Sequence, residues 1–248
     1  MLIQCITGLM EGDYIQLFIL LLALPIILFS LTFHECSHGF IALKMGDPTA
    51  RNLGRLTLNP AKHLDPLGVL FMLLLGYGWA KPVPVNSRYF RNPKKGMALT
   101  ALAGPVSNLV LALGFSLLLE ITMAVCAKTG LVPAYHCSQV FPLYVLSPAS
   151  VASPVLWTWI EFLSLGCSLN VSLAVFNMIP IPPFDGSRIL FVFLPANIYF
   201  KVMKYERIIL LVLLLLFYLG ILDGPLSGAN YYLQTGIYRL WELIPFFT

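Results

Sequence analysis

The sequence predicts an all-α polytopic membrane protein with four transmembrane helices, up to six, and a small extended or β element between the first and second spans. Of its 248 residues, 58% are hydrophobic and only 10% are charged. Soluble domains typically carry about 25% charged residues, and a chain of this length cannot bury so much apolar surface in water. Four segments are long and apolar enough to cross a bilayer: 14–43, 98–126, 155–179 and 207–222.

Two further apolar segments account for the upper limit of six helices. Residues 67–77 supply about half of the ~20 residues that a spanning helix needs, so a re-entrant or extended piece is expected there. Residues 231–247 mix aromatic and polar side chains, which favours a helix at the membrane interface. We expect one membrane-embedded domain over 1–248, with its core in 14–195 and an additional span and interfacial segment in 196–248.

The connection between the first two spans, residues 44–97, is the longest polar stretch of the chain. Alternating residues at 55–58 predict a short strand. The prolines within 81–85 favour extended backbone, because a proline pushes the residue before it out of the helical region. Such extended pieces could pair with a substrate strand or could simply be loop.

Lysine and arginine residues predict the orientation of the spans. Nine of the fifteen lie in 44–97, four more lie between residues 188 and 207, and Lys128 and Arg239 lie on the other side. By the positive-inside rule, the 44–97 loop is cytoplasmic and the N-terminus is outside. The net charge of +4 therefore reflects membrane topology, and nucleic acid is not an expected partner. No lysine or arginine precedes the first span, so it is expected to be retained rather than cleaved as a signal peptide.

The five cysteines show no C-x-x-C spacing that would indicate a metal site or redox pair. Cys126 and Cys137 fall near the predicted outer face, where a disulfide is possible. The sequence leaves that pairing open.

His34, Glu35 and His38 form an H-E-x-x-H pattern inside the first predicted span. Residues four apart share a helix face, so both imidazoles can bind one ion while the glutamate reaches a water on that ion. Charged residues cost about 2.5–3.5 kcal/mol each in a membrane span, so their presence indicates a function. The alternative is two histidines satisfied by hydrogen bonds and a glutamate that lines a proton path.

A second signature follows the third span, where three prolines at 180, 182 and 183 precede Asp185 and Gly186. Prolines end a helix, and broken helices at membrane depth are tolerated where they line a cavity. The topology brings Asp185 to the depth of the histidines. Two histidines, one carboxylate and one water make the open geometry of a catalytic zinc site, with one Zn²⁺ per chain. The alternative for Asp185 is a helix cap at the membrane edge.

Together these signatures resemble the site-2 protease family of intramembrane zinc metalloproteases, as a small bacterial-type member without a PDZ domain. The family pattern N-x-x-P-x-P-x-x-D-G is matched by Asn177, Pro180, Pro182, Asp185 and Gly186. The resemblance covers about residues 14–195.

Two further family-like elements lie between these signatures. Ala103-Gly104-Pro105 with Asn108 opens the second span, and Asn59-Pro60 precedes His63 and Asp65. His63 and Asp65 are possible accessory residues, although a histidine–aspartate pair in a loop is more often structural.

The resemblance implies a role for each matched residue. His34, His38 and Asp185 are the expected zinc ligands, Glu35 the general base, and Asn177 a contact to the substrate or its oxyanion. The expected activity is hydrolysis of peptide bonds in membrane-spanning substrate proteins near the cytoplasmic face, within the lipid of a bacterial inner membrane.

Two other functions use the same residues. A transporter would need polar residues across the outer half of the membrane, and the candidates are Glu120 and Glu161, near span ends where they can face water. A silent scaffold would lack a ligand or the base, and the sequence has all four.

Overall fold

The computed structural model describes residues 14–75, 78–131 and 153–244, together with Gly8 and Val151. These residues are mostly helical and contain no β-strand. In chain order the helices are α1 (Ile15–Lys44), α2 (Thr49–Asn52), α3 (Pro66–Leu75), α4 (Pro93–Lys128), α5 (Pro154–Asn177), α6 (Asp185–Leu190), α7 (Ala196–Lys204), α8 (Glu206–Tyr218) and α9 (Asp223–Glu242).

Three helices are long and apolar enough to cross a membrane, namely α1 with 30 residues, α4 with 36 and α5 with 24. At about 1.5 Å per residue, the shortest of them exceeds the ~30 Å hydrocarbon core of a bilayer. They match the first three predicted spans. One apolar cluster joins α4 to α5 through Leu119, Met123, Trp157, Ile160 and Leu163. The three long helices therefore form the body that positions the site.

The fourth predicted span, over 207–222, is not confirmed as a single helix. Helix α8 has only 13 residues, and the chain bends by 83° before α9 begins. Gly220 makes the break possible, because its φ of 69° lies in the left-handed region that glycine adopts readily. The α8–α9 pair is a fourth crossing only if both helices together form one broken span.

The two ambiguous segments are helical in the parts that the structure describes. Residues 66–75 form α3, whose ten residues are too few to span a membrane. Of the two alternatives expected there, the extended piece is wrong and the re-entrant piece stays a prediction. Helix α9 covers most of 231–247, and its Ile237 and Tyr238 pack against Ala112 of α4 and Cys167 of α5.

In the described part of the connection between the first two spans, the small β element consists of an isolated antiparallel bridge between Leu64 and Ala80. The strand predicted at 55–58 is wrong, because local partners occupy the polar groups there. The Thr57 carbonyl accepts a hydrogen bond from His63, and the Thr57 hydroxyl accepts one from the Asn59 backbone. Arg55 donates to the carbonyls of Lys81 and Pro82 and so ties the two ends of this connection together.

Glu120 on α4 and Glu161 on α5 do not face water, contrary to the sequence interpretation. Their exposed fractions are 6% and 5%. Cys126 is a buried free thiol, and Cys137 lies outside the described residues.

Candidate zinc centre

The two histidines of the H-E-x-x-H pattern point to one place. Both lie on α1, four residues apart and therefore on one face of the helix. Their Nε2 atoms are 3.0 Å apart, and the exposed fractions are 4% for His34 and 8% for His38. The four-residue spacing therefore places two buried imidazole nitrogens next to each other.

Asp185 reaches the same point from the far end of the chain. Helix α5 ends at Asn177, the proline segment turns the chain, and α6 begins at Asp185. A Cβ on Gly186 would lie 2.3 Å from the Met178 carbonyl oxygen, so only glycine allows this close turn. The Asp185 Oδ2 atom lies 3.1 Å from Nε2 of both His34 and His38. The structure therefore brings together the three predicted ligands.

The outer nitrogen of each imidazole is held by an oxygen. Nδ1 of His38 lies 2.7 Å from the backbone carbonyl of Thr100, and Nδ1 of His34 lies 2.7 Å from the Asn108 side-chain oxygen. A carbonyl can only accept, so Nδ1 of His38 carries the hydrogen and a neutral His38 presents a lone pair at Nε2. Metal-binding histidines typically have this arrangement, with the second nitrogen bonded to a carbonyl or carboxylate.

The donor set fits a zinc ion. Two imidazole nitrogens and one carboxylate oxygen lie 3.0–3.1 Å from one another. A proton on one of the three atoms can form a hydrogen bond to only part of this group. A shared cation satisfies all three. Ligand atoms at the ~2.0–2.1 Å bond lengths of tetrahedral zinc stand about 3.3 Å apart, close to the observed separations. Two nitrogens and one oxygen from the protein also leave a fourth position open, as in catalytic zinc sites.

Glu35 lies beside these three side chains but has another hydrogen-bond partner. Its carboxylate and the two imidazoles lie within 4.8 Å of one another. Its Oε2 atom accepts a buried hydrogen bond of 2.8 Å from the backbone N–H of Val83. That bond holds the carboxylate at the edge of the cluster, which suits a base better than a ligand.

The cluster opens into a cavity of about 290 Å³. One wall is the segment from Gly78 to Val85, and the others come from α1, α4, α5, α6 and α8. Most of the lining is apolar, including Leu173, Phe176 and Phe217. Pockets that bind a ligand are typically apolar with a few convergent polar groups, as here.

Comparison with known proteins identifies the family. The model of peptidase family M50 matches residues 22–220. The chain belongs to peptidase family M50. This is the site-2 protease family. This chain is 40% identical to the Bacillus subtilis protein named "Putative zinc metalloprotease YwhC" over 76% of each chain.

Two further relatives come from mycobacteria. The protein named "Putative zinc metalloprotease Rip2" of Mycobacterium tuberculosis is 30% identical over 83% of this chain and 70% of its own. The protein of the same name from Mycolicibacterium smegmatis is 33% identical over 70% of this chain and 57% of its own. No solved structure matches.

The remaining residues predicted for the site divide into two groups in this M50 chain. Asn177 lines the cavity, and one of its amide hydrogens is donated to the Leu173 carbonyl at 2.9 Å. His63 and Asp65 do not line the cavity. The His63 ring contacts the Thr57 carbonyl at 2.8 Å, and Asp65 accepts hydrogen bonds from the first backbone N–H groups of α3. Their contacts are those of loop and cap residues.

Several residues of this M50 site carried no assigned role in the sequence. Thr100 and Val83 act through backbone atoms, for which side-chain identity gives no signal. Asn108 and Gly104 belong to a family-like element whose contacts only the structure reveals. Asn170, on α5, hydrogen-bonds to Asn108 and was missed, because a single buried amide has no motif.

Proposed function

We propose that this M50 zinc metallopeptidase hydrolyses peptide bonds of membrane-spanning substrate proteins near the cytoplasmic face. His34, His38 and Asp185 would hold one zinc ion per chain. The observation that carries the proposal is the convergence of two imidazole nitrogens and one carboxylate oxygen at 3.0–3.1 Å beside a second carboxylate, at the wall of an apolar cavity.

The residues of the site divide the chemistry between them. Zinc, when bound, supplies a Lewis acid that polarises the scissile carbonyl and makes water acidic enough to attack near neutral pH. Glu35 accepts the proton of the attacking water and delivers it to the nitrogen of the departing amine. The Val83 N–H holds the Glu35 carboxylate in place between those two steps.

Asn177 is proposed to donate a hydrogen bond to the developing oxyanion. Its side-chain nitrogen has two hydrogens, and the Leu173 carbonyl uses one of them. The second hydrogen is available to the cavity that Asn177 lines. A donor placed before the reaction stabilises charge as it forms.

The substrate class follows from the cavity lining. Apolar side chains from α5 and α8 surround the site, including Leu173, Leu210 and Phe217, which suits a stretch of transmembrane sequence. Such a segment must unwind locally to present a peptide bond. The wall from Gly78 to Val85 provides backbone with which an unwound strand could pair.

Purified protein should contain one zinc per chain and cleave a model transmembrane substrate. A chelator should remove both the zinc and the activity, and added zinc should restore activity. Asp185→Ala should fail to retain zinc through purification, because it removes a ligand. The matched substitution Asp65→Ala, outside the cavity, should keep the metal. Unaltered zinc content in Asp185→Ala would refute the ligand assignment.

The proposed placement is a bacterial inner membrane with the N-terminus outside and the 44–97 loop in the cytoplasm, in contact with lipid and substrate but not nucleic acid. Thirteen of the fifteen basic residues then lie on the cytoplasmic side. Reporter fusions after residues 95 and 140 should give signals from opposite sides of the membrane. Matching signals would overturn this topology.

A further inference from the structure

Two buried asparagines stand in line behind His34. Asn108 on α4 and Asn170 on α5 both have an exposed fraction of 0%. The Asn108 Oδ1 atom lies 2.7 Å from Nδ1 of His34, and the Asn108 Nδ2 atom donates to Asn170 Oδ1 at 3.3 Å. Asn170 Nδ2 donates in turn to the backbone carbonyl of Gly166 at 2.8 Å. The chain of bonds runs from a backbone carbonyl to an imidazole.

The carbonyl at the end of this chain fixes the direction of every bond. The Gly166 carbonyl can only accept, so Asn170 must turn its nitrogen towards Gly166 and its oxygen towards Asn108. Asn108 must then present its nitrogen to Asn170 and its oxygen to His34. An oxygen at that position requires the hydrogen of His34 to be on Nδ1. Nε2 of His34 is thereby left as a lone pair facing Asp185 and His38.

The two histidines differ in the group that keeps their hydrogen on Nδ1. His38 relies on the Thr100 carbonyl, part of the α4 backbone, which cannot rotate. The primary amide of Asn108 can flip, and a flipped amide would present N–H groups to His34 and favour the wrong tautomer. Asn170 supplies the partner that disfavours the flip.

We propose that Asn170 is a positioning residue that acts through Asn108 to fix the tautomer and orientation of His34, and so sets the affinity for zinc. The inference rests on the proposed role of His34 as a zinc ligand. Changes to the partners of metal-binding residues typically lower metal affinity about 10–100-fold, which is the effect expected here. The competing explanation is that Asn170 only joins α4 to α5.

The test compares Asn170→Leu in two backgrounds, with zinc affinity measured by competition against a chelator. In the wild-type background the substitution should lower affinity about 10–100-fold. Asn108→Asp places two acceptor oxygens and no donor beside His34, so its orientation no longer depends on Asn170. In that background Asn170→Leu should change affinity less than about 3-fold, well below the usual effect. If Asn170→Leu does not fold, Asn170→Ala removes the same amide without adding bulk.

The controls separate the possible failures. Ser116→Ala removes a buried polar group of α4 outside this chain of bonds and should leave zinc affinity unchanged. An equal loss in both backgrounds, or no loss in the wild-type background, would show that Asn170 is only structural. If His34→Ala loses zinc while Asn170→Leu retains it, this inference fails and the metal site stands. If His34→Ala retains zinc, the ligand assignment and this inference both fail.

Discussion

Glu35→Gln is expected to abolish cleavage of a transmembrane substrate while the protein folds and keeps its zinc. The amide has nearly the size of the carboxylate, and its oxygen can still accept the Val83 N–H. It cannot take a proton from water. General base catalysis contributes about 10²–10⁴-fold, and loss of proton delivery to the leaving amine adds to that effect. Cleavage rate and zinc content, measured on one preparation, check the prediction.

A matched substitution elsewhere makes the result specific. Glu161→Gln replaces another buried glutamate, on α5, and should leave both rate and zinc content near those of the wild type. Near-normal cleavage by Glu35→Gln would remove Glu35 from the mechanism. Loss of zinc together with activity would instead make Glu35 part of the metal site.

The side chains proposed to hold the metal could be predicted from sequence because their chemistry is restrictive. Two histidines at helical spacing and a carboxylate after a proline break are unusual in apolar segments, since buried charge is costly. The prediction that Asp185 meets His34 and His38 spans nearly 150 residues of chain and agrees with the structure. The membrane made this prediction possible, because helices that end on the same side of a bilayer place their ends at a similar depth.

The supporting contacts could not be predicted in the same way. Val83 holds Glu35 through its backbone N–H, a group that every residue type except proline has. Thr100 holds His38 through its backbone carbonyl, which all residue types have. The fourth predicted span is not confirmed as a single helix, for a different reason. Hydropathy measures how long an apolar stretch is, not whether its backbone continues as a helix, and a left-handed glycine at position 220 ends it. At 55–58, the alternation of polar and apolar residues predicted a strand. No strand forms there, because residues of the same loop hydrogen-bond to the carbonyl and the hydroxyl of Thr57.

Gly104 belongs to a family-like element of the sequence, and the packing of the helices explains why a glycine is needed there. Helix α4 crosses α1 directly at the histidines, and a Cβ on Gly104 would lie 2.4 Å from Cε1 and 2.5 Å from Nε2 of His34. It would also lie 2.5 Å from Cε1 of His38. Carbon atoms in contact stand about 3.5–4.0 Å apart, so a methyl group here must displace the rings or separate the helices. Either movement disrupts the point at which both Nε2 atoms meet Asp185.

Gly104→Ala is therefore expected to lower zinc affinity by at least about 100-fold, because changes that only disturb the partners of one ligand already cost about 10–100-fold. Proteolysis should fall with it. Gly114→Ala, on the same helix with no atom within 4 Å of the added carbon, is the matched control. Alanine is favoured over glycine inside a helix by about 0.5–1 kcal/mol, so this control should be at least as stable as the wild type and fully loaded with zinc. Zinc affinity measured by chelator competition on both variants decides the matter. An unchanged affinity in Gly104→Ala would mean that α4 does not pack against the imidazoles of the working enzyme.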